Sequence, residues 1–200
     1  MDPTNTVLNF WFGPLTTDGR AHGELAARWW AKDPDFDREV REKFGGLHAQ
    51  LNAGVRPSWS YSPRGLLAAI LVLDQFSRNM FRKTPGMFAA DVQAIALAFE
   101  GIALGHDRKL RFAERTFLYM PLMHSERLDV QARCIDLFER FRAEQTGEHA
   151  EELQAQLKFA RAHHDLIKRF GRFPHRNEWL ERETTPEEQD FLTQPGFNAT

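Results

Sequence analysis

The chain has 200 residues, of which 42% are apolar and 27% charged, and its net charge is −2 at pH 7. This length favours a single domain that buries a full core without disulfides or structural metals. The near-neutral charge argues against a broad basic surface for nucleic acid.

Compartment and membrane signals are weak throughout the sequence. The single cysteine, Cys134, rules out an intrachain disulfide, which is typical of a reducing compartment. The first residues lack the basic start, apolar stretch and cleavage site of a signal peptide. The longest apolar run, 66–73, is far shorter than the roughly 20 residues that cross a membrane. We therefore predict a cytoplasmic protein that does not span a membrane.

Several helix starts can be predicted in the N-terminal half of the chain. Short helices fit residues 6–12 and 24–30, and Asp33-Pro34 and Ser62-Pro63 each place a capping side chain before a proline at the first helical position. Thr84-Pro85 repeats this signal, and apolar residues three or four apart follow each of the three starts.

The C-terminal half also carries helix-start and helix-end signals. Helices are predicted over about 110–120, ended or kinked by Pro121, over about 127–143, and over about 148–170, closed by Gly171. Thr185-Pro186 with Glu188 is typical of a capping box. No run of β-branched residues alternates as a strand would. We predict one all-α domain over residues 1–200, an irregular stack of antiparallel helix pairs with about eight or nine helices.

Known catalytic and cofactor motifs are missing. The sequence has no P-loop, no dinucleotide-binding glycine motif, no zinc-protease HExxH and no hydrolase GxSxG. We therefore predict no cofactor and no metal, and the absence of these motifs leaves open whether the protein is an enzyme.

Two histidine-containing stretches are candidate sites. His124 and Glu126 follow Pro121, so His124 could transfer a proton while Glu126 orients it. The alternative is that Ser125 caps the next helix and its neighbours make local hydrogen bonds. His163 shares a helix face with apolar residues, where it is either a further proton-transfer candidate or a satisfied core side chain.

Two Arg-Asn stretches, QFSRN (75–79) and RFGRFPHRN (169–177), form the third candidate. Arg78, Arg172 and Arg176 could together bind a carboxylate or phosphate. Alternatively, Arg78 pairs with Asp74, Asn79 takes a left-handed helix cap, and the second stretch ties helix ends together. Nucleic-acid binding is disfavoured because a strongly acidic segment follows RFGRFPHRN directly.

The chain resembles the bacterial domain-of-unknown-function family 924 over nearly its whole length. The resemblance rests on VLNFWFG (7–13), RWW (28–30), LDQFSRNMFR (73–82), AADVQAIALA (89–98), ERTFLYMPLMHSE (114–126) and RFGRFPHRN (169–177). It departs at Ser77, where the family usually has proline. The resemblance implies a tetratricopeptide-like helical fold and no established reaction, and it adds Tyr119 and Asn177 to the candidate residues.

Two functional hypotheses follow. The first is a module that binds a peptide or small anionic ligand in a groove lined by Arg78, Asn79, Tyr119, His124, Glu126, His163, Arg172, Arg176 and Asn177. The second is an enzyme of unknown reaction in which His124 and Glu126 transfer protons and the arginines hold an anionic substrate. A purely structural role for these side chains is the third reading, and the sequence does not indicate an oligomeric state.

Overall fold

The computed structural model describes residues 3–194, and every regular element in that range is a helix. Eight α-helices have eight or more residues and two have six, which confirms the all-α prediction of about eight or nine helices. They are α1 (Pro3–Phe12), α2 (Gly23–Arg28), α3 (Pro34–Asn52), α4 (Pro63–Leu73), α5 (Gln75–Met80), α6 (Asp91–Ala103), α7 (Phe112–Met123), α8 (Leu128–Ala143), α9 (Gly147–Phe170) and α10 (Pro186–Thr193).

Side-chain caps define the starts of three helices, α3, α4 and α10. The Asp33 carboxylate accepts hydrogen bonds from the backbone of Asp35 and Phe36, and the Ser62 hydroxyl accepts one from Gly65. Thr185 and Glu188 form the predicted capping box at the start of α10. Gly171 ends α9 with a φ of 70°, the left-handed conformation that favours glycine at this position.

Two predicted boundaries differ from the structure. Thr84 makes no side-chain cap, so Pro85 opens only a short 3-10 turn and α6 starts later, at Asp91. Pro121 lies inside α7, which continues to Met123. A proline near a C-terminus removes one backbone hydrogen bond without ending the helix.

The chain divides into two compact units, one reaching Pro121 and the other starting at Leu122. The single-domain assignment therefore stays a prediction, as does the tetratricopeptide-like arrangement. In the first unit α4 is buried from Gly65 to Leu73 and packs against α1, α3 and α6. A cluster of aromatic rings adjoins it, formed by Phe10, Trp11, Phe12, Trp29, Phe36, Phe44, Phe76 and Phe117.

The second unit is built on the pairing of α8 with α9, which a short connection joins. Cys134 on α8 is buried, and burial raises the pKa of its thiol, so it is an inert core residue. At the far end of α9, Leu166, Ile167 and Phe173 form a buried cluster against Phe170 and Phe191. This cluster holds RFGRFPHRN against the start of α10.

One apolar stretch, Pro85–Ala103, passes a length-and-composition test for a membrane-crossing helix. Its continuous α-helix is α6, however, which has only 13 residues. Because a span needs about 20 helical residues, the match is weak. The inner face of α6 packs on α4, while Val92 and Phe99 on its outer face are exposed.

Candidate functional site

Arg78 lies between two carboxylates of the first unit. Its guanidinium is 2.9 Å from Asp74 and 3.1 Å from Asp91, and it also donates to the Asp74 carbonyl at 2.7 Å. Burial lowers the pKa of Arg78, but the two carboxylates more than offset this and the pKa is raised. The predicted pairing with Asp74 is therefore present, and a second acid joins it.

Asn79 does not form the predicted left-handed helix cap. It lies within α5, and only Lys83 and Glu181 have positive φ among the described non-glycine residues. Its amide donates instead to Asp37 at 2.7 Å, the carboxylate that also binds Arg82 at 2.5 and 2.8 Å. Asn79 therefore helps to hold α5 against α3.

Tyr119 is fully buried in the first unit. Its hydroxyl donates to Asp107 at 2.6 Å and accepts from Arg115 at 2.9 Å. Burial raises the pKa of Tyr119 above its ordinary value, so the phenol stays protonated. A buried neutral hydroxyl with both roles filled is a structural polar group.

Glu126 and Arg182 form a two-pronged ion pair in the second unit. The contacts are 2.8 and 3.0 Å, and Glu126 also accepts from the backbone of Phe173 at 2.8 Å. Burial raises the pKa of Glu126, but these partners outweigh it and the pKa is lowered. Arg176 is buried, lies over the Phe173 ring and donates to the His124 carbonyl at 2.8 Å. The His124 carbonyl and the Glu126 carboxylate thus hold RFGRFPHRN, through Arg176 and the Phe173 backbone, against the segment that precedes α8.

Glu188 binds the other predicted residues of RFGRFPHRN, Arg172 and Asn177. Arg172 donates to its two oxygens at 2.7 and 2.8 Å, and the Asn177 amide donates at 3.1 Å. The backbone of Thr185 adds a contact at 2.8 Å. The ion pair with Arg172 and these hydrogen bonds lower the pKa of Glu188 to about 2.

His163 contacts a backbone carbonyl and an aromatic ring. It is half-buried on α9, its Nδ1 lies 2.9 Å from the Phe159 carbonyl, and its ring meets the Phe173 ring at 5.5 Å. These contacts fit the packing role that was weighed for it.

We expect Glu188→Gln to destabilise the second unit by about 1.5–3 kcal/mol at neutral pH, because hydrogen bonds to a charged group are lost. The folded-state pKa is depressed, so the contribution of Glu188 is present above the ordinary value of 4.5 and lost as pH falls toward about 2. Urea denaturation of wild type and variant across this pH range should show the two converging in acid.

Glu187→Gln is the matched control, because Glu187 is exposed and pairs with Arg169 at the surface. A loss of about 0.5 kcal/mol or less is expected for it. Equal losses for the two variants would contradict the assignment of Glu188 as the anchor.

A cavity of about 300 Å³ lies within the first unit. None of the site residues predicted from the sequence lines it. Gly13, with a φ of 61°, ends α1 and lets the chain turn along this cavity. The lining residues come from α1, the segment after it, the start of α4, the segment before α7 and the start of α7; they are Leu8, Asn9, Phe12, Gly13, Pro14, Leu15, Arg64, Lys109, Arg111 and Glu114.

Positive charge is in excess around this cavity. Glu114 is 2% exposed and accepts from Arg64 at 3.1 Å and from the backbone of Arg111 at 3.0 Å, so it offsets the charge of Arg64. Within the described residues 3–194, the Arg111 guanidinium donates hydrogen bonds only to the carbonyls of Thr16 and Thr17. Among residues 3–194, no carboxylate forms an ion pair with Arg111 or with the exposed Lys109. Two positive charges therefore remain without a carboxylate in a concave site.

A second cavity of about 420 Å³ has the opposite balance. Four acids and two arginines line it around the start of α3, and they include the ion pair of Arg38 with Asp35 at 2.8 Å. Its negative excess makes it unsuited to an anion.

The family model described as "Bacterial protein of unknown function (DUF924)" matches residues 7–196. The chain belongs to this family. A solved structure of a protein of unknown function from Agrobacterium tumefaciens is 34% identical to the chain, covers 95% of it and 96% of its own length, and superposes with a TM-score of 0.78. No curated protein matches. The membership confirms the resemblance read from the motifs.

Five residues of the cavity lie in the family motifs, and none of them was predicted to line a site: Leu8, Asn9, Phe12 and Gly13 in VLNFWFG, and Glu114 in ERTFLYMPLMHSE. Glu114 begins the motif ERTFLYMPLMHSE, and Arg111 stands three residues before it. This spacing is that of a carboxylate closing back on a helix start, which is the contact observed. Lys109 and Arg64 carried no such signal.

Proposed function

We propose that the protein binds a small anionic ligand and that the cavity bearing Lys109 and Arg111 is the site. The observation that supports this proposal is a concave pocket with two positive charges that no carboxylate of the described part of the chain pairs with. Oriented cations in a partly enclosed site attract carboxylates and phosphates more strongly than cations on an open surface. A volume of about 300 Å³ is at the small end of ligand pockets, which favours a small molecule over a long peptide.

The groove predicted from the sequence is less well supported as an anion site. Arg78 and Arg172 are already held by carboxylates, and Arg176 is buried against a carbonyl and an aromatic ring. An incoming anion would have to displace those partners. The cytoplasmic location and the tetratricopeptide-like arrangement remain part of the proposal.

An enzymatic role for His124 and Glu126 has weaker support. Both oxygens of Glu126 accept hydrogen bonds from Arg182, which lowers the pKa of the carboxyl group. A carboxylate held in this way is a poor proton carrier near neutral pH.

Lys109→Met is expected to weaken binding of hexanoate and inorganic phosphate, used as probe anions, by about tenfold or more, since one charge-assisted contact is lost. Lys109 is exposed and forms no ion pair with a described carboxylate, so the fold should be unaffected. The measurement is a titration followed by backbone amide NMR shifts at constant ionic strength. The expected shifts lie near residues 8–15 and 109–114.

Arg108→Met is the matched control, since Arg108 is the exposed neighbour and does not line the cavity. Its affinities should stay within about twofold of wild type, because the probe never contacts it. The proposal fails if neither probe binds, or if both variants weaken binding equally.

A further inference from the structure

The cavity has two chemically different walls. Four apolar residues, Leu8, Phe12, Pro14 and Leu15, come from α1 and the segment after it. Lys109 and Arg111 come from the segment that leads into α7. Such a division suits a ligand with an apolar part and a charged end.

Arg111 is positioned to bind the charged end. Its contacts to the Thr16 and Thr17 carbonyls come from Nη2 alone. Nε and Nη1 therefore have no partner among residues 3–194. Nε and Nη1 lie on opposite edges of the guanidinium, so a carboxylate or phosphate can accept a charge-assisted hydrogen bond from one of them, not from both together.

Glu114 limits where negative charge can lie. It is almost fully buried in the same lining, and its two oxygens are oriented by Arg64 and the backbone of Arg111. A second anionic group on the ligand would approach this carboxylate and be repelled. Negative charge is therefore favoured at one end of a ligand only.

We infer that the ligand is an amphipathic organic anion, with a single carboxylate or phosphate head at Lys109 and Arg111 and a short apolar body against Pro14 and Leu15. This inference rests on the proposed function and adds the chemical class of the ligand. Leu8 and Phe12 are 1% exposed and already covered by protein, so Pro14 and Leu15 supply the apolar surface that an inorganic anion would leave in contact with water. A nucleotide would need more room than about 300 Å³ and would bring several charges.

A chain-length series tests the class of ligand. Acetate, butyrate and hexanoate are titrated into the full chain by NMR at constant ionic strength. Affinity is expected to rise by about two- to fourfold for each added methylene, since each one leaves water for the apolar wall. Butyl phosphate against inorganic phosphate gives the same comparison for the other head group, and the tighter of butyl phosphate and butyrate identifies which head the site takes.

Leu15→Asn separates the apolar wall from the charged end. Leu15 is half-buried, so the variant is expected to fold, to bind acetate as wild type does and to lose most of the gain with chain length. Leu104→Asn, at an exposed leucine outside the cavity lining, should leave the whole series unchanged.

The outcomes distinguish the inference from the proposed function. Equal affinities along the series, with binding still weakened by Lys109→Met, would overturn the amphipathic ligand and keep anion binding. No binding of any probe would overturn both. A gain with chain length that Leu15→Asn leaves intact would overturn the placement of the apolar body.

Discussion

Phe76→Ala is expected to destabilise the first unit by about 3–5 kcal/mol, the range for truncating a large buried aromatic residue. Phe76 is fully buried, and its ring lies 4.7 Å from that of Phe44 and 5.6 Å from that of Trp11. Removal of the ring leaves a void that helices α1, α3 and α5 cannot all close, because each is held by its own packing. Urea denaturation followed by tryptophan fluorescence measures the loss.

Phe99→Ala is the control for this prediction. Phe99 lies on the outer face of α6, where it is 36% exposed. Its truncation should cost about 1 kcal/mol or less, because little packing is lost at such a position. A comparable loss for the two variants would mean that the aromatic cluster is not the main support of the first unit.

Three helix starts could be predicted because a side chain caps the helix that it precedes. Asp33, Ser62 and Thr185 cap the helices that they precede, and each contact spans two or three residues. Thr84 carried the same signal, but its hydroxyl donates to the Phe81 carbonyl instead, and α6 starts seven residues later. A side chain with two possible partners cannot be assigned from sequence spacing alone.

The charge balance around RFGRFPHRN could also be anticipated in part. The acidic segment after it was expected to offset its arginines, and Arg172 does bind Glu188, 16 residues away. The pairing of Arg182 with Glu126 spans 56 residues and follows from tertiary packing. No local pattern indicates such a partner.

The cation-rich cavity could not be predicted from the sequence. Its charged residues come from positions 64 and 109–114, and its apolar wall comes from 8–15. Each of these segments reads alone as an ordinary helix end or loop. They line one cavity only because α1 and α4 pack with the segment before α7.

Arg78→Met is expected to destabilise the first unit by about 3–5 kcal/mol, the cost of removing one partner from a buried ion pair. Asp74 and Asp91 are both buried, and Arg78 contacts each of them. Without the guanidinium, two neighbouring carboxylates lose their shared cation. Denaturant unfolding at about pH 7 of the wild type and the variant measures the loss.

Arg38→Met supplies the matched control, because the Arg38 side chain is 62% exposed and pairs with Asp35 at the surface. Its loss should be about 0.5 kcal/mol or less. The Arg78→Met variant also distinguishes a structural role of Arg78 from a ligand-binding role. If the role is structural, the variant is less stable but binds hexanoate within about twofold of wild type, because Arg78 does not line the cavity. If Arg78→Met keeps normal stability but no longer binds the anion, Arg78 belongs to the ligand site. That result would contradict the placement of the anion at Lys109 and Arg111.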